Sequence, residues 1–372
     1  MKNIKTWFNE SSYTTPLSPA CKMCADGSKL VLLATGLCPA KCFYCPISFR
    51  KGGKDLIFAD EWELDNENDT TKLILEAEYI EADGAGITGG DPLVVWRRTK
   101  TYISLLKDTF GPGFHIHLYT SGLQNGEHVG ELVAAGLDEI RFHPTPSYWD
   151  RMDRSPINNS IKNALKTDVD VAIEIPAIPG MENQMFSLIK WADETGLRWV
   201  NLNELEFSER NADILNKKSF TVKDDISAAV LGSQESAKNV LNKAAEEDFE
   251  TGVHYCSSSF KDGVQLTNRI KRRADNVARE HEVITDDGTL LKGIILTGDK
   301  GSLEDIYKTL KKEFDVKENY IFLNREKNRI EIALWILEKI APVLKQRGLQ
   351  CYMVEEYPTA DGLEVERIPL PL

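Results

Sequence analysis

Three cysteines, Cys38, Cys42 and Cys45, fall in the stretch GLCPAKCFYCP, directly after the apolar run Leu30 to Ala34. The spacing Cys-x3-Cys-x2-Cys supplies three thiolates, one fewer than a closed tetrahedral metal site needs. Three thiolates can hold three irons of a cubic iron–sulfur cluster and leave the fourth iron open to a ligand that is not protein. Zinc, or cysteines without metal, is the plain alternative. A zinc knuckle would bring two paired Cys-x2-Cys or Cys/His units, and this loop has no histidine. A second set is more scattered. Cys21 and Cys24 form a Cys-x2-Cys pair ahead of the first predicted strand, and Cys256 lies far along the chain in VHYC. Folded side by side they would make another three-thiolate site, with Cys351 or His254 as a fourth ligand. An auxiliary iron–sulfur cluster, a zinc ion and unligated thiols all remain open for that set.

These residues need a scaffold. At 372 residues the chain is too long for a single hydrophobic core, so a large domain and a smaller one are expected. A content of 42% hydrophobic and 28% charged residues is that of a globular protein, and no apolar run is long enough for a membrane span. The first residues, MKNIKTWFNESSYTT, lack the apolar core of a secretory signal. Seven cysteines, five of them between Cys21 and Cys45, argue against a disulfide framework and for thiols in a reducing cytoplasm. A net charge of −13 argues against broad binding to nucleic acid, although Arg269 to Arg273 form a local basic run.

From about Ser28 to Glu209, short apolar runs alternate with helical patterns, the sign of βα units and a parallel sheet. Strands are expected at Leu30–Ala34, Ala85–Thr88, His115–Thr120, Glu139–His143, Val169–Pro176 and Trp199–Leu205. Five amphipathic helices lie between them. A (βα)6 partial barrel and a doubly wound open sheet both show this alternation. A further helical pattern over Val222–Asp248 leads to a short strand, Gly252–Cys256, and to a helix over Gln265–Arg279. The expected domains are an N-terminal extension (1–27), a core (28–280) and a small α+β domain (281–372). The last carries a strand pair near Glu282–Thr297, helices Leu303–Phe314 and Glu331–Arg347, and strands Tyr320–Leu323 and Gln350–Glu355.

Polar residues gather at the predicted strand ends. Gly89, Gly90 and Asp91 end the second strand, and two glycines there let the backbone approach a ligand closely. Thr120 and Ser121 end the third. Arg141 and His143 alternate on the fourth and so share one face. Glu174 interrupts the apolar fifth strand, and Asn203 and Glu204 the sixth. Unpartnered polar side chains inside a barrel are costly, so such residues are candidates for ligand contacts.

GLCPAKCFYCP, with Tyr44 just before its last cysteine, resembles the signature of the radical S-adenosylmethionine (SAM) superfamily. ITGGDP, HLYTSG, RFHP and NLNELEF extend the likeness, within the superfamily, to archaeal-type proteins related to pyruvate-formate-lyase activating enzymes. The resemblance implies a partial TIM barrel, with a [4Fe–4S] cluster on Cys38, Cys42 and Cys45. It implies that the open iron chelates SAM, which an electron cleaves to methionine and a 5′-deoxyadenosyl radical. It places Tyr44, Gly89, Gly90, Asp91, Thr120, Ser121 and Asn203 near SAM, and Arg141, His143, Glu174 and Glu204 near SAM or substrate. The expected partners are an electron donor such as ferredoxin or flavodoxin and an unidentified substrate whose hydrogen is abstracted. Three other readings compete: a wyosine-synthase-like tRNA-modifying enzyme, an activase that installs a glycyl radical on a partner protein, and a non-enzymatic iron–sulfur electron carrier.

Overall fold

The computed structural model describes residues 2–225, 227–247, 249–298 and 301–371. It divides into two compact units, Met1–Leu266 and Thr267–Leu372.

The first unit opens with a hairpin of β1 (Lys5–Thr6) and β2 (Ser12–Tyr13). Helix α1 (Pro19–Asp26) follows; the Ser18 hydroxyl caps it by accepting from the Ala20 amide, and Gly27, left-handed at φ 70°, ends it. The βα series then runs β3 (Lys29–Thr35), the short pair β4 (Phe58–Ala59) and β5 (Trp62–Glu63), α2 (Thr70–Tyr79), β6 (Gly84–Gly89) and α3 (Trp96–Phe110). It continues through β7 (His115–Thr120), α4 (Val129–Ala134), β8 (Glu139–Phe142), α5 (Asn158–Ala164), β9 (Asp170–Ala177), α6 (Glu182–Thr195) and β10 (Trp199–Glu204). After α7 (Ala212–Lys217) and α8 (Ser233–Glu246) come β11 (Gly252–Cys256) and the single turn α9 (Ser258–Phe260).

The strand order is β1-β2-β11-β10-β9-β8-β7-β6-β3-β4-β5, and β3, β6, β7, β8, β9, β10 and β11 all run parallel. Those seven follow one another without reversal. A doubly wound sheet reverses at a switch point; a barrel wall does not. The sequence therefore folds as a partial barrel, with β11 added to the six expected strands and β2 pairing antiparallel on its outer edge. Ile87, Ile116, Leu118, Ile140, Ile173 and Ile175 are fully buried, as strands covered on both faces require. On α3, Tyr102, Ile103 and Leu106 form the buried stripe.

One stretch departs from expectation. Val222–Asp248 reads as one helix, but among its described residues only Ser233–Glu246 is helical, and Ile226 and Asp248 lie outside the described residues. Val222 bridges Val230, and Glu206 bridges Ala229. Gly232, at φ 85°, breaks the backbone, and the Ser233 hydroxyl donates to the Ala177 carbonyl while accepting from the Leu205 amide. Those bonds fix the helix start eleven residues late, at the ends of β9 and β10.

The second unit begins with α10 (Thr267–Val277), which carries the basic run. An antiparallel sheet follows, of order β14 (Ile321–Asn324), β15 (Arg329–Ile332), β13 (Leu290–Leu296), β16 (Gln350–Glu356) and β17 (Glu364–Pro369), with β12 (Val283–Ile284) also on β13. Helices α11 (Leu303–Glu313) and α12 (Leu334–Gln346) pack on it. The helix expected from Glu331 starts only at Leu334, because Arg329 to Ile332 alternate as a strand: Ile330 and Ile332 enter the core, and Arg329 and Glu331 enter a buried ion-pair cluster. There Lys292 reaches Glu282 at 2.6 Å and Glu356 at 2.9 Å, and Arg329 reaches Glu356 at 2.6 Å.

Candidate functional site

All seven cysteines are free thiols. A cavity of about 590 Å³ opens at the C-terminal ends of the parallel strands, where barrels of this kind carry their sites. Every residue singled out for cofactor or substrate lies on its wall except Asp91 and Arg141.

The cysteine loop leaves β3 and is held at its root by the end of β6. The Gly90 amide donates to the Thr35 carbonyl and the Asp91 amide to the Leu37 carbonyl, each at 2.7 Å. A Cβ on Gly89, whose φ is 145°, would lie 2.2 Å from the Thr35 oxygen, and one on Gly90 would lie 2.2 Å from the Leu37 oxygen. The two glycines are thus required by the root of the cysteine loop, not only by a ligand. The β6–β7 ladder stops at the pair Ile87–Leu118, which leaves Thr88 and Gly89, both on the cavity wall, outside it.

Asp91, expected among the SAM contacts, is fully buried behind the wall. Its carboxylate accepts from the Leu93 amide at 3.0 Å, the Thr120 hydroxyl at 2.7 Å, the Ser121 amide at 3.1 Å and the Ser121 hydroxyl. Burial raises its pKa above the usual carboxylate value against the pull of those bonds. It ties the end of β6 to the end of β7. Thr120 and Ser121 reach the cavity wall, but both hydroxyls are spent on Asp91.

Tyr44 is buried within the loop. Its hydroxyl lies 3.0 Å from Nε2 of His143, and its carbonyl accepts from Asn211. Burial lowers the His143 pKa, which keeps the ring neutral near pH 7. The cysteine loop is thereby fastened to β8 at a second point.

The resemblance places Arg141 near SAM or substrate. Instead its guanidinium is consumed by the protein: it donates to Glu139 at 2.6 Å, Glu174 at 2.7 Å and Ser18 at 3.1 Å. Glu174 also accepts from Asn203 at 2.8 Å and Asn201 at 3.2 Å. Burial pushes the Glu174 pKa up, and Arg141 together with the two amides outweighs it, so the group stays below the usual range. Glu204 accepts from the Ser258 amide at 2.8 Å.

Behind this network a second cavity, of about 180 Å³, is lined by Cys21, Cys24, Cys256, His254 and Arg141. The fold therefore brings together the three cysteines that are dispersed in sequence. Cys351 is buried in the core of the second unit. Sequence reasoning missed Lys261, which lines both cavities and donates to Glu206 at 2.6 Å, and Glu139, the buried anchor of Arg141. Glu139 was findable, since it alternates with Arg141 on one strand face.

The donor set fits the implied groups. Among the described residues no three cysteine sulfurs lie within 4.8 Å of one another, whereas thiolates sharing one tetrahedral zinc at bonds of about 2.3 Å must. A cluster spreads its thiolates over separate irons. The larger cavity falls in the range of about 300–1,000 Å³ typical of small-molecule and cofactor sites.

Residues 288–370 match a domain of unknown function, DUF8061. Among solved structures, SuiB of Streptococcus suis bound to S-adenosylmethionine is 9% identical, with a TM-score of 0.42 over 62% of this chain and 50% of that one. The radical S-adenosylmethionine methyltransferase TsrM from Kitasatospora setae, with cobalamin and a [4Fe–4S] cluster bound, is 10% identical, with a TM-score of 0.36 over 67% of this chain and 52% of that one. The chain spans about half the length of both. A protein of Methanocaldococcus jannaschii, named "Putative glycyl-radical enzyme activating enzyme", is 40% identical over 95% of this chain and 93% of its own length. With that identity along nearly the whole of both chains, the protein belongs to the family of this archaeal protein.

Proposed function

We propose that Cys38, Cys42 and Cys45 hold a [4Fe–4S] cluster in the larger cavity, that SAM occupies the space beside it, and that the enzyme abstracts hydrogen from a substrate at the barrel mouth. The observation that carries this reading is the convergence of the three-cysteine loop, the end of β6 beyond its ladder with β7, and the polar ends of β7 to β10 on one cavity. When bound, the cluster and SAM supply one-electron chemistry and hydrogen abstraction. The chain's own residues bind and orient. The three thiols give up their protons to ligate iron. Thr88 and Gly89 offer backbone groups outside the β6–β7 ladder, suited to the amino group of SAM. Asp91 fixes Thr120 and Ser121, and the Tyr44–His143 contact holds the loop against β8. Glu174 and Asn203 form a polar floor, and the apolar Leu33, Ile47 and Leu205 exclude water from the wall. A reduced ferredoxin or flavodoxin in a reducing cytoplasm would serve as electron donor.

The family relative's name supports a second reading, in which the abstracted hydrogen comes from a glycine of a partner protein. Tight binding of such a partner would separate it from a small-molecule enzyme. The shared claim is tested by reducing anaerobically reconstituted protein with dithionite and SAM. Methionine and 5′-deoxyadenosine should form in equal amounts with wild type. Their absence, or their persistence in the Cys42→Ala variant, overturns the assignment.

A further inference from the structure

The smaller cavity is walled by thiols from the two ends of the first unit. Cys21 and Cys24 lie on α1, and Cys256 closes β11. In the β10–β11 register His254 stands opposite Asn201, and Cys256 opposite Asn203. His254 and Cys256 are two residues apart and so face the same side. His254 is only 3% exposed and Asn201 2%. Neither ring nitrogen of His254 has a hydrogen-bond partner, nor does Oδ1 of Asn201. Leaving a polar atom buried and unpaired costs about 1–3 kcal/mol, so three of them around one small cavity call for an occupant. Arg141, which donates to the Cys21 sulfur at 3.4 Å, and Lys261 add positive charge to the wall, as a group bearing several thiolates requires.

We propose that Cys21, Cys24 and Cys256 hold a second iron–sulfur cluster, with His254 meeting it at the remaining position. The three thiols lose their protons on binding iron, and His254 offers a neutral ring nitrogen. A cluster fits better than one zinc ion, because the three sulfurs do not converge within 4.8 Å and a cluster gives each its own iron. Tyr119, Glu174, Asn203 and Lys261 line both cavities. The second cluster therefore shares a wall of these four side chains with the site proposed for SAM.

The experiment measures iron, acid-labile sulfide and zinc per chain in anaerobically reconstituted full-length protein. Three proteins are compared: wild type, the Cys38/Cys42/Cys45→Ala variant, and that variant with Cys24→Ala and Cys256→Ala added. About eight irons in wild type, about four in the triple variant and near none in the quintuple variant are expected for two cubic clusters. Circular dichroism checks that each variant is folded. One zinc per chain retained by the triple variant in place of iron overturns the proposal. So does a triple variant without metal from a wild type holding about four irons, a result that leaves the Cys38–Cys45 assignment standing. Iron absent from wild type overturns both. In the triple variant, His254→Ala should change the electron paramagnetic resonance (EPR) spectrum of the reduced cluster, and an unchanged spectrum removes His254 from the site.

Discussion

The two cavities of the barrel share four wall residues but are assembled in opposite ways. The larger takes its cysteines from one short loop, so its thiols are neighbours in sequence and their placement depends on how that loop is tied down. The smaller takes them from α1 and β11, which meet only when the barrel has formed. A local site can tolerate strain in the barrel but not in its anchors. A site built by tertiary contacts is the reverse. A buried charge network links the two: Glu174 lines both cavities, Arg141 lines the smaller, and Glu139 pairs with Arg141.

That contrast can be broken selectively. The largest effect is expected of Cys42→Ala, which should reduce SAM cleavage to background while the iron retained at Cys21, Cys24 and Cys256 is unchanged, as metal analysis and product assays would show. Next, Arg141→Ala leaves two carboxylates buried without their cation, a loss of about 3–5 kcal/mol, and should lower the unfolding temperature and disturb both cavities. The pH dependence gives this change a signature. Glu174 has a lowered pKa in the folded protein, so its contribution is present above the unfolded value of about 4.3 and fades as pH falls below it. Without Arg141 burial dominates and the sign reverses. The gap in unfolding temperature between the two proteins should therefore narrow from pH 7 to pH 4, and a gap independent of pH would show that Glu174 does not depend on Arg141.

Smaller effects should separate the sites. Gly90→Ala places a Cβ against the Leu37 carbonyl and should displace the cysteine loop, with iron lost from the first site alone. Equal loss from both sites would contradict local anchoring. Tyr44→Phe removes one hydrogen bond to His143, worth about 0.5–1.5 kcal/mol. It should weaken SAM binding without emptying either site, which calorimetric titration with SAM would detect.

The barrel was legible because its strands are covered on both faces and so read as short apolar runs; His115–Thr120 and Gly252–Cys256 match residue for residue. The strand order could not be read, because the alternation of strands and helices is common to both α/β architectures. Val222–Val230 misled because Val222 and Val230 bridge each other and Ala229 bridges Glu206, rather than forming a helix face. The edge strand Glu364–Pro369 escaped because it is largely exposed and half its residues are charged, which leaves no apolar alternation. At the site, residue types were informative but partners were not. The resemblance places Asp91 and Arg141 near SAM or substrate, but a buried charge needs partners and each finds its own inside the protein. Those partners are Thr120 and Ser121 for one, Glu139 and Glu174 for the other, and they arrive from strands far off in sequence.

The most direct test of the Cys38–Cys45 assignment is the EPR spectrum of the dithionite-reduced protein with and without SAM. If the loop holds the cluster with the open iron, SAM will change the wild-type spectrum, and the Cys38/Cys42/Cys45→Ala variant will show no response to SAM. A SAM-sensitive signal that survives in the variant, or a wild-type cluster signal indifferent to SAM, would contradict the assignment.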